Sequence, residues 1–355
     1  MRRNVGILTF HCATNYGGVL QAYSLSKLIK RKGYNVEFIN LRPNNISNDK
    51  PKRPTDFLFR LVFNRFEKNY YPKYTHLIKN ESDLVFLNNK FDFFIVGSDQ
   101  VWNKEITKDI FKSYFFDFVN KGKPKIAYAA SFGSAEPVFN NQEKEEIITL
   151  LKEFTVITLR EDSGKKYCEN ILGISAKVVL DPTLLLNDFS EIIKCNVPKN
   201  SDIICLKFIK SKEFIEIANY LATELDCSVK LVNSPQKYPG IKNIYFPSVD
   251  KWLSLIFNAK FVITDSFHAL CFCIMFKKDF IVVPGKIERF TRLQNLLVLL
   301  EIENRVFQSI EEFKNSNIWN CRIDFEKVHN RLNQERECSM FVLEEALKMA
   351  EKYSN

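Results

Sequence analysis

The sequence predicts an α/β protein of two doubly wound, Rossmann-like domains, with a C-terminal helix crossing both. Short apolar runs alternate with helical patterns almost from end to end, the signature of strands joined by crossover helices. The chain has 355 residues, more than one hydrophobic core usually serves. A polar stretch from Asn187 to Asn200, containing Pro198, splits the pattern into two series.

The first series opens with Val5–Phe10 as a strand. Tyr16–Lys32 reads as a helix closed by Gly33, and Val36–Asn40 as the next strand. That βαβ unit implies parallel strands and a right-handed crossover. Further strands are expected at 93–96, 125–130, 156–159 and 177–180, with helices at 141–154 and 161–172. The second series places strands at 202–206, 228–231, 241–245, 261–264 and 280–283. Its helices are expected at 212–225, 250–258, 266–276 and 288–300. The domains are therefore read as 1–190 and 200–322, followed by a C-terminal segment, 323–355. In its helix, Phe325, Val328, Leu332, Val342 and Ala346 fall near one face, interrupted by Glu335 and Arg336.

Residues 42–90 break the alternation and read as a basic, aromatic-rich insertion. Between Lys50 and Lys79 stand eight Lys or Arg, two acids and seven aromatic residues. Leu58, Leu61, Val62, Arg65 and Phe66 would share one face of an amphipathic helix. Two readings stay open: an insertion packed on the first domain, or a patch at 50–79 that lies on an anionic membrane or a lipid-linked substrate.

The formal net charge of +9 suits anionic small molecules or an acidic membrane surface. No helix-turn-helix, zinc-finger or RNA-binding aromatic pattern appears, so nucleic acid is not an expected partner. Nine scattered cysteines without a C-x-x-C pair read as free thiols in a reducing compartment, with no metal site. The N-terminal apolar run is too short for a signal-peptide core, and no stretch of about 20 apolar residues exists to span a membrane. A cytoplasmic protein is expected, with attachment at the inner membrane face if the basic patch is used.

Ligands of open parallel sheets bind beyond the carboxyl ends of the strands. After the first strand stand Asn15, Tyr16, Gly17 and Gly18 at a helix start, where backbone N–H groups attract anions. His11 lies close enough in sequence to join such a cleft. After 93–96 come Ser98, Asp99, Gln100, Trp102 and Asn103, a polar and aromatic cluster of the kind that faces sugars. After 156–159 comes Arg160, placed to bind an anion bidentately with the amides of the next helix. After 261–264 come Asp265, Ser266 and His268, with Asp265 expected as helix cap and His268 as general acid/base or phosphate ligand. After 280–283, Lys286, Arg289 and Arg292 again suit an anion. At each position a plain structural role, as cap, tight turn or surface pair, competes with the functional one.

In combination these segments resemble the polysaccharide pyruvyl transferase family. The resemblance runs through Gly6–His11, Asn15–Tyr23, Phe94–Asn103, Arg160–Gly164, Leu180–Leu185 and Val262–His268. It implies the B-type glycosyltransferase fold, with the first domain on the acceptor side and the second on the donor side. It implies transfer of the carboxyvinyl unit of phosphoenolpyruvate to a sugar or lipid-linked oligosaccharide, usually ending as a cyclic ketal. Phosphoenolpyruvate is then a co-substrate, and no metal or organic cofactor is implied. On that resemblance Arg160 and His268 would hold the donor anion, and His268 or Asp99 would shuttle the proton, with Asp265 beside them. Asn15, Asp99, Gln100 and Trp102 would position the sugar. Some family members carry a donor-binding Arg two places before the matching His, where this chain has Ser266. Arg289 or Arg292 would supply that charge. The competing classes are a nucleotide-sugar glycosyltransferase on the same fold and a non-catalytic glycan- or anion-binding protein.

Overall fold

The computed structural model describes residues 2–42, 54–193, 199, 202–207, 211–234, 236–285 and 287–353, except the side chains of 54–56 and 287–289. The chain groups into two units. The first comprises Met1–Phe57, Glu67–Leu186 and Glu335–Asn355, and the second Leu58–Phe66 and Asn187–Gln334.

The first unit is built on seven strands: β1 (Asn4–Leu8), β2 (Asn35–Phe38), β3 (Lys73–Tyr74), β4 (Phe93–Asp99), β5 (Lys125–Ala130), β6 (Val156–Leu159) and β7 (Lys177–Val178). Their order is β3-β2-β1-β4-β5-β6-β7, and every pairing is parallel. The α-helices between them are α1 (Tyr16–Arg31), α2 (Pro54–Tyr70), of which Leu58–Phe66 group with the second unit, α3 (Lys104–Thr107), α4 (Asn141–Leu151) and α5 (Asp162–Asn170), and α6 (Pro182–Leu186) follows β7. The order reverses between β1 and β4, so the crevice of this sheet opens beyond their carboxyl ends. All seven residues of β4 are buried, because it is a central strand paired on both edges. It runs three residues beyond its apolar part, which places Ser98 and Asp99 at the strand end itself.

The second unit carries β8 (Asp202–Leu206), β9 (Ser228–Val232), β10 (Ile241–Ile244), β11 (Phe261–Thr264) and β12 (Phe280–Val282). The order is β10-β9-β8-β11-β12, again all parallel, with the reversal between β8 and β11. Its helices are α7 (Lys212–Glu224), α8 (Val249–Phe257), α9 (Phe267–Met275), α10 (Ile287–Leu299) and α11 (Ile310–Ser316). Helix α9 is buried on all sides over Phe267–Ile274, which explains its nearly unbroken apolar sequence. Phe272 meets both Phe189 and Trp252 edge-on.

Helix α12 (Phe325–Tyr353) is grouped with the second unit up to Gln334 and with the first from Glu335. Its apolar stripe is not interrupted as the sequence suggested. Arg336 is itself buried, and its Nε donates to Leu184 O at 2.7 Å. Burial pushes its guanidinium down to about 10. A long stem and one backbone acceptor let Arg336 occupy a core position. Ser339 Oγ accepts from Leu180 N at 3.0 Å, and Leu343, Ala346 and Ala350 continue the buried stripe.

Residues 42–90 prove to be partly a continuation of the sheet. Helix α2 is the crossover from β2 to β3, a two-residue edge strand, and a 3-10 helix at Glu81–Asn89 leads to β4. Tyr71 packs edge-on against Phe38, with ring centres 4.9 Å apart. Two residues are too few for apolar alternation to register. The face expected to join Leu58, Leu61, Val62, Arg65 and Phe66 is divided, because Phe66 turns inward. Phe63, Phe66 and Glu67 are buried, while Leu58, Leu61 and Arg65 are exposed. Positions 43–53 of the expected basic patch lie outside the described residues.

Gly97 in β4 has φ +111°, and a Cβ there would stand 2.2 Å from Tyr128 O. Gly33, with φ +96°, has no atom within 4 Å of the same position. Gly97→Ala is therefore expected to destabilise the protein by about 2 kcal/mol or more beyond Gly33→Ala, measured by urea unfolding. Equal losses would mean that the approach to Tyr128 is not limiting.

Candidate functional site

Each sheet gathers buried charge at its own point of reversal. In the first unit the centre is Arg160, directly after β6, with a side chain only 1% exposed. Its Nη1 donates to Asp181 Oδ2 at 3.1 Å and its Nη2 to Asp99 Oδ1 at 3.2 Å. Glu161 Oε2 lies 3.8 Å from its Nε. Burial by itself would lower the Arg160 pKa, but Asp99, Asp181 and Glu161 outweigh it and hold the guanidinium above its ordinary value.

Neighbouring dipoles share the negative charge. Asp181 caps α6, and its Oδ1 accepts from Thr183 N at 3.0 Å and from Thr183 Oγ1 at 2.8 Å. Pro182 fits the first helical position, where no N–H is needed. Ser98 Oγ donates to Gln21 Oε1 at 2.7 Å and lies 3.4 Å from Asp181 Oδ2. Gln21 Nε2 donates to Thr9 Oγ1 and to Gly18 O, both at 2.9 Å. Strand β1, helix α1, the end of β4, the start of α6 and the residue after β6 are thus joined in one polar network.

The network revises several expectations. Arg160 was expected to bind the donor anion, yet its guanidinium is paired with Asp181 and Asp99 and lies beside Glu161. Trp102 was expected to face sugar, but it is fully buried. Its ring stacks on Phe115 at 5.0 Å, and its Nε1 donates to Tyr114 O at 2.9 Å. Phe115, Phe132 and Phe154 lie around it and make the indole more stable inside than at the rim. Gly17 contributes less to an anion site than expected, because its N–H donates to the Asn15 side chain at 2.9 Å. Tyr16 is buried at the first position of α1, and Asn15 is exposed as its N-cap. His11 is also buried, stacked on Phe38 with ring centres 5.4 Å apart.

Asp99 and Gln100 remain at the rim of this edge. The Asp99 side chain is 12% exposed. Gln100 is half-buried, and its Oε1 accepts from Asn103 Nδ2 at 3.0 Å. Both amides lie over Gly133, where a Cβ would stand 2.3 Å from Gln100 Oε1. That glycine is what lets the loop after β5 approach the loop after β4.

In the second unit the reversal point lies between β8 and β11, whose registers pair Leu206 with Thr264. The next residues, Lys207 and Asp265, form an ion pair at 3.3 Å, with Lys207 0% and Asp265 7% exposed. Lys207 Nζ also donates to Val283 O and lies 5.4 Å from the centre of the Phe214 ring. The pairing corrects one role: Asp265 is drawn to Lys207, and Ser266 caps α9 instead, accepting from Ala269 N at 3.4 Å. Ser266 N in turn donates to Thr264 Oγ1 at 2.9 Å. His268 follows in the first turn of α9, 7% exposed, with the Phe267 ring edge-on at 5.3 Å. Arg292 is half-buried on α10, while Lys286 and the Arg289 side chain lie outside the described residues.

Sequence reasoning passed over Lys207, Asp181 and Gln21 as site residues. Lys207 had a readable signal, a cation directly after a strand beside the reversal. Asp181 had the Asp-Pro pair of a helix start. Gln21 lies inside a helix and carried no signal beyond its place in the Asn15–Tyr23 stretch. Among the described residues, no group of three or more His, Cys, Asp or Glu is placed to hold a metal ion.

Two all-parallel sheets, each with its reversal at polar strand ends, define a protein of the B-type glycosyltransferase fold. Solved structures bear out that class. A UDP-N-acetylglucosamine 2-epimerase from Rickettsia bellii superposes with TM-score 0.61 at 11% identity, covering 100% of this chain and 97% of that one. A UDP-GlcNAc 2-epimerase from Neisseria meningitidis gives 0.58 at 10% identity, covering 98% and 99%. A glycosyltransferase from Rickettsia africae ESF-5 gives 0.52 at 11% identity, covering 98% and 99%. At such identities the likeness is one of fold. The family model for polysaccharide pyruvyl transferase matches residues 15–286, and the chain belongs to that family. No curated protein matches it in sequence.

Two substitutions test these clusters. Arg160→Met leaves three carboxylates uncompensated and is expected to cost about 3–5 kcal/mol at neutral pH. Without the cation, burial raises the carboxylate pKa values above their unfolded values. Protons then bind the folded state more tightly, so the deficit should shrink as the pH falls towards about 4. Urea unfolding at several pH values measures both effects, and a deficit that grows on acidification would contradict the charge argument. Lys207→Met should cost about 3 kcal/mol, partly recovered when Asp265→Asn is added. Additive losses in that double-mutant cycle would mean that the pair is not coupled.

Proposed function

We propose that the protein transfers the carboxyvinyl unit of phosphoenolpyruvate to sugar hydroxyls, forming a pyruvate ketal on a bacterial surface polysaccharide or its lipid-linked precursor. The observation that carries the reading is the family membership across residues 15–286. The buried charges at the strand ends of both units support it.

The chemistry sets clear demands. A proton must reach the vinyl CH2 carbon, which makes the neighbouring carbon electrophilic. A sugar hydroxyl then bonds to that carbon and gives up its proton to a base. The bond to the phosphate oxygen breaks and inorganic phosphate leaves; a second hydroxyl then closes the ketal and gives its proton to the group that protonated the vinyl carbon, which restores the acid. The enzyme must supply an acid, a base and a cationic setting for phosphate and carboxylate.

In our reading His268 delivers the proton to the vinyl carbon. Asp265, held by Lys207, and Ser266 flank it in a fixed arrangement. Arg292 and Arg289 on α10 answer the donor's negative charge in place of an Arg at position 266. On the acceptor side Asp99 takes the hydroxyl proton, steadied by Arg160, and Gln100 and Asn15 hold the sugar. Arg160 thus acts on the carboxylate and not on the donor. No metal or organic cofactor takes part in this scheme. The reaction belongs in the cytoplasm, where phosphoenolpyruvate is made.

The test is incubation of the whole protein with phosphoenolpyruvate and a panel of undecaprenyl-diphosphate glycans. A product heavier by one pyruvyl ketal, with one phosphate released per ketal, is expected. Glycosyl transfer from a nucleotide sugar, with no phosphate released from phosphoenolpyruvate, would overturn the reading in favour of a glycosyltransferase. His268→Ala should slow phosphate release by about a hundredfold or more. An unchanged rate would remove the role assigned to this histidine.

A further inference from the structure

Helix α2 is apolar on two faces, and only one of them is packed. Phe63 and Phe66 are buried, and Phe59 meets both Phe63 and Phe246, with ring centres at 5.0 and 5.3 Å. On the other side Phe57 is 55% exposed, Leu58 53% and Leu61 47%. Arg65 and Lys68 follow on the same exposed face at helical spacing. At 1.5 Å per residue, the stripe from Phe57 to Lys68 is about 16 Å long. The helix has two acids, Asp56 and Glu67, and Glu67 is buried, with Tyr74 Oη donating to it at 3.1 Å. The described part of the exposed face therefore carries large apolar groups, amides and cations, and no acid.

We propose that this face of α2 docks the protein on an anionic phospholipid bilayer. Three large apolar side chains in two adjoining turns are costly to leave in water, and a surface helix of this kind gains by lowering them into the headgroup boundary. Arg65 and Lys68, one to two turns further on, then reach lipid phosphates, their stems lying along the apolar stripe. The cations also choose between occupants. A second copy of the same face would set Arg65 and Lys68 against each other or, packed antiparallel, against Leu61 and Phe57, whereas an anionic surface complements them. In sequence, Lys50, Lys52 and Arg53 add to the positive charge just before the helix. The inference stands on α2 alone and does not rest on the pyruvyl-transfer reading.

The experiment is co-sedimentation of the full-length protein with vesicles of phosphatidylcholine alone, or of phosphatidylcholine with phosphatidylglycerol in a 7:3 molar ratio, the latter a choice of probe on the order of bacterial anionic content. Binding to the anionic vesicles, at least tenfold weaker to the neutral ones and weakened by high salt, is expected. The triple variant Phe57→Ser, Leu58→Ser, Leu61→Ser should lose at least tenfold in binding, and Arg65→Glu with Lys68→Glu should lose a similar factor. These side chains are exposed, so unfolding midpoints should stay near that of the parent and are measured alongside. In a second readout, Phe57→Trp should gain fluorescence that bromine-labelled acyl chains quench. The proposal is overturned if the parent ignores anionic vesicles, if the serine variant binds as well as the parent, or if light scattering shows a dimer that the serine variant dissolves.

Discussion

A guanidinium held among three carboxylates orders the strand ends of the first unit. Removing one cation and three anions from water is unfavourable for each group taken alone. The cluster persists because Arg160 answers the acids, and because Thr183 turns its N–H and its hydroxyl toward Asp181. Asp99 and Asp181 come from segments remote from Arg160, so the arrangement fixes how those segments meet. Asp99 takes its position from this cluster, which turns a carboxylate at the sheet's edge into a directed one.

The second unit reaches a similar result by smaller means. Lys207 and Asp265 sit one residue beyond two paired strands, so the ladder itself brings them together. A compact ammonium suffices where the distance is set by sheet register, whereas the first unit needs a forked cation to span acids on different elements. Once Asp265 is turned toward Lys207, the helix start is left to Ser266, and His268 enters α9 one turn above the pair. A cation buried beside a carboxylate is common to both sheets, although they share no obvious sequence repeat.

Much of this was legible in the residues. Parallel strands in both units and their crossover helices follow from short apolar runs, and Ser98, Asp99, Arg160 and Asp265 do fall at strand ends. What the one-dimensional pattern could not resolve was direction. Trp102 stands in a polar loop yet turns into the core, because Phe115 and Phe132 lie behind it. Arg160 follows a strand as an anion-binding Arg would, but its partners are some 20 and 60 positions away in sequence, at Asp181 and Asp99. In α2 both sides are apolar, so periodicity alone could not tell the packed face from the exposed one. Arg336 read as a break in a stripe because a charge was scored where a long stem mattered. The family resemblance, by contrast, rested on short motifs in order, which survive when individual side chains turn out to point elsewhere.

The division of the chain between the units has a consequence for how the protein is made. The first unit is discontinuous, and residues from Glu335 onward belong to it although the second unit's segment precedes them. Arg336, Ser339 and Glu344 all engage partners laid down early, at Leu184, Leu180 and Lys32. During synthesis the earlier part of that unit must wait, with the Leu180 amide and the Leu184 carbonyl still open, while a second α/β unit emerges from the ribosome. The second unit can gather its own sheet in that interval. Completion of the first is thus set by the order of translation, and it falls last although that unit begins first.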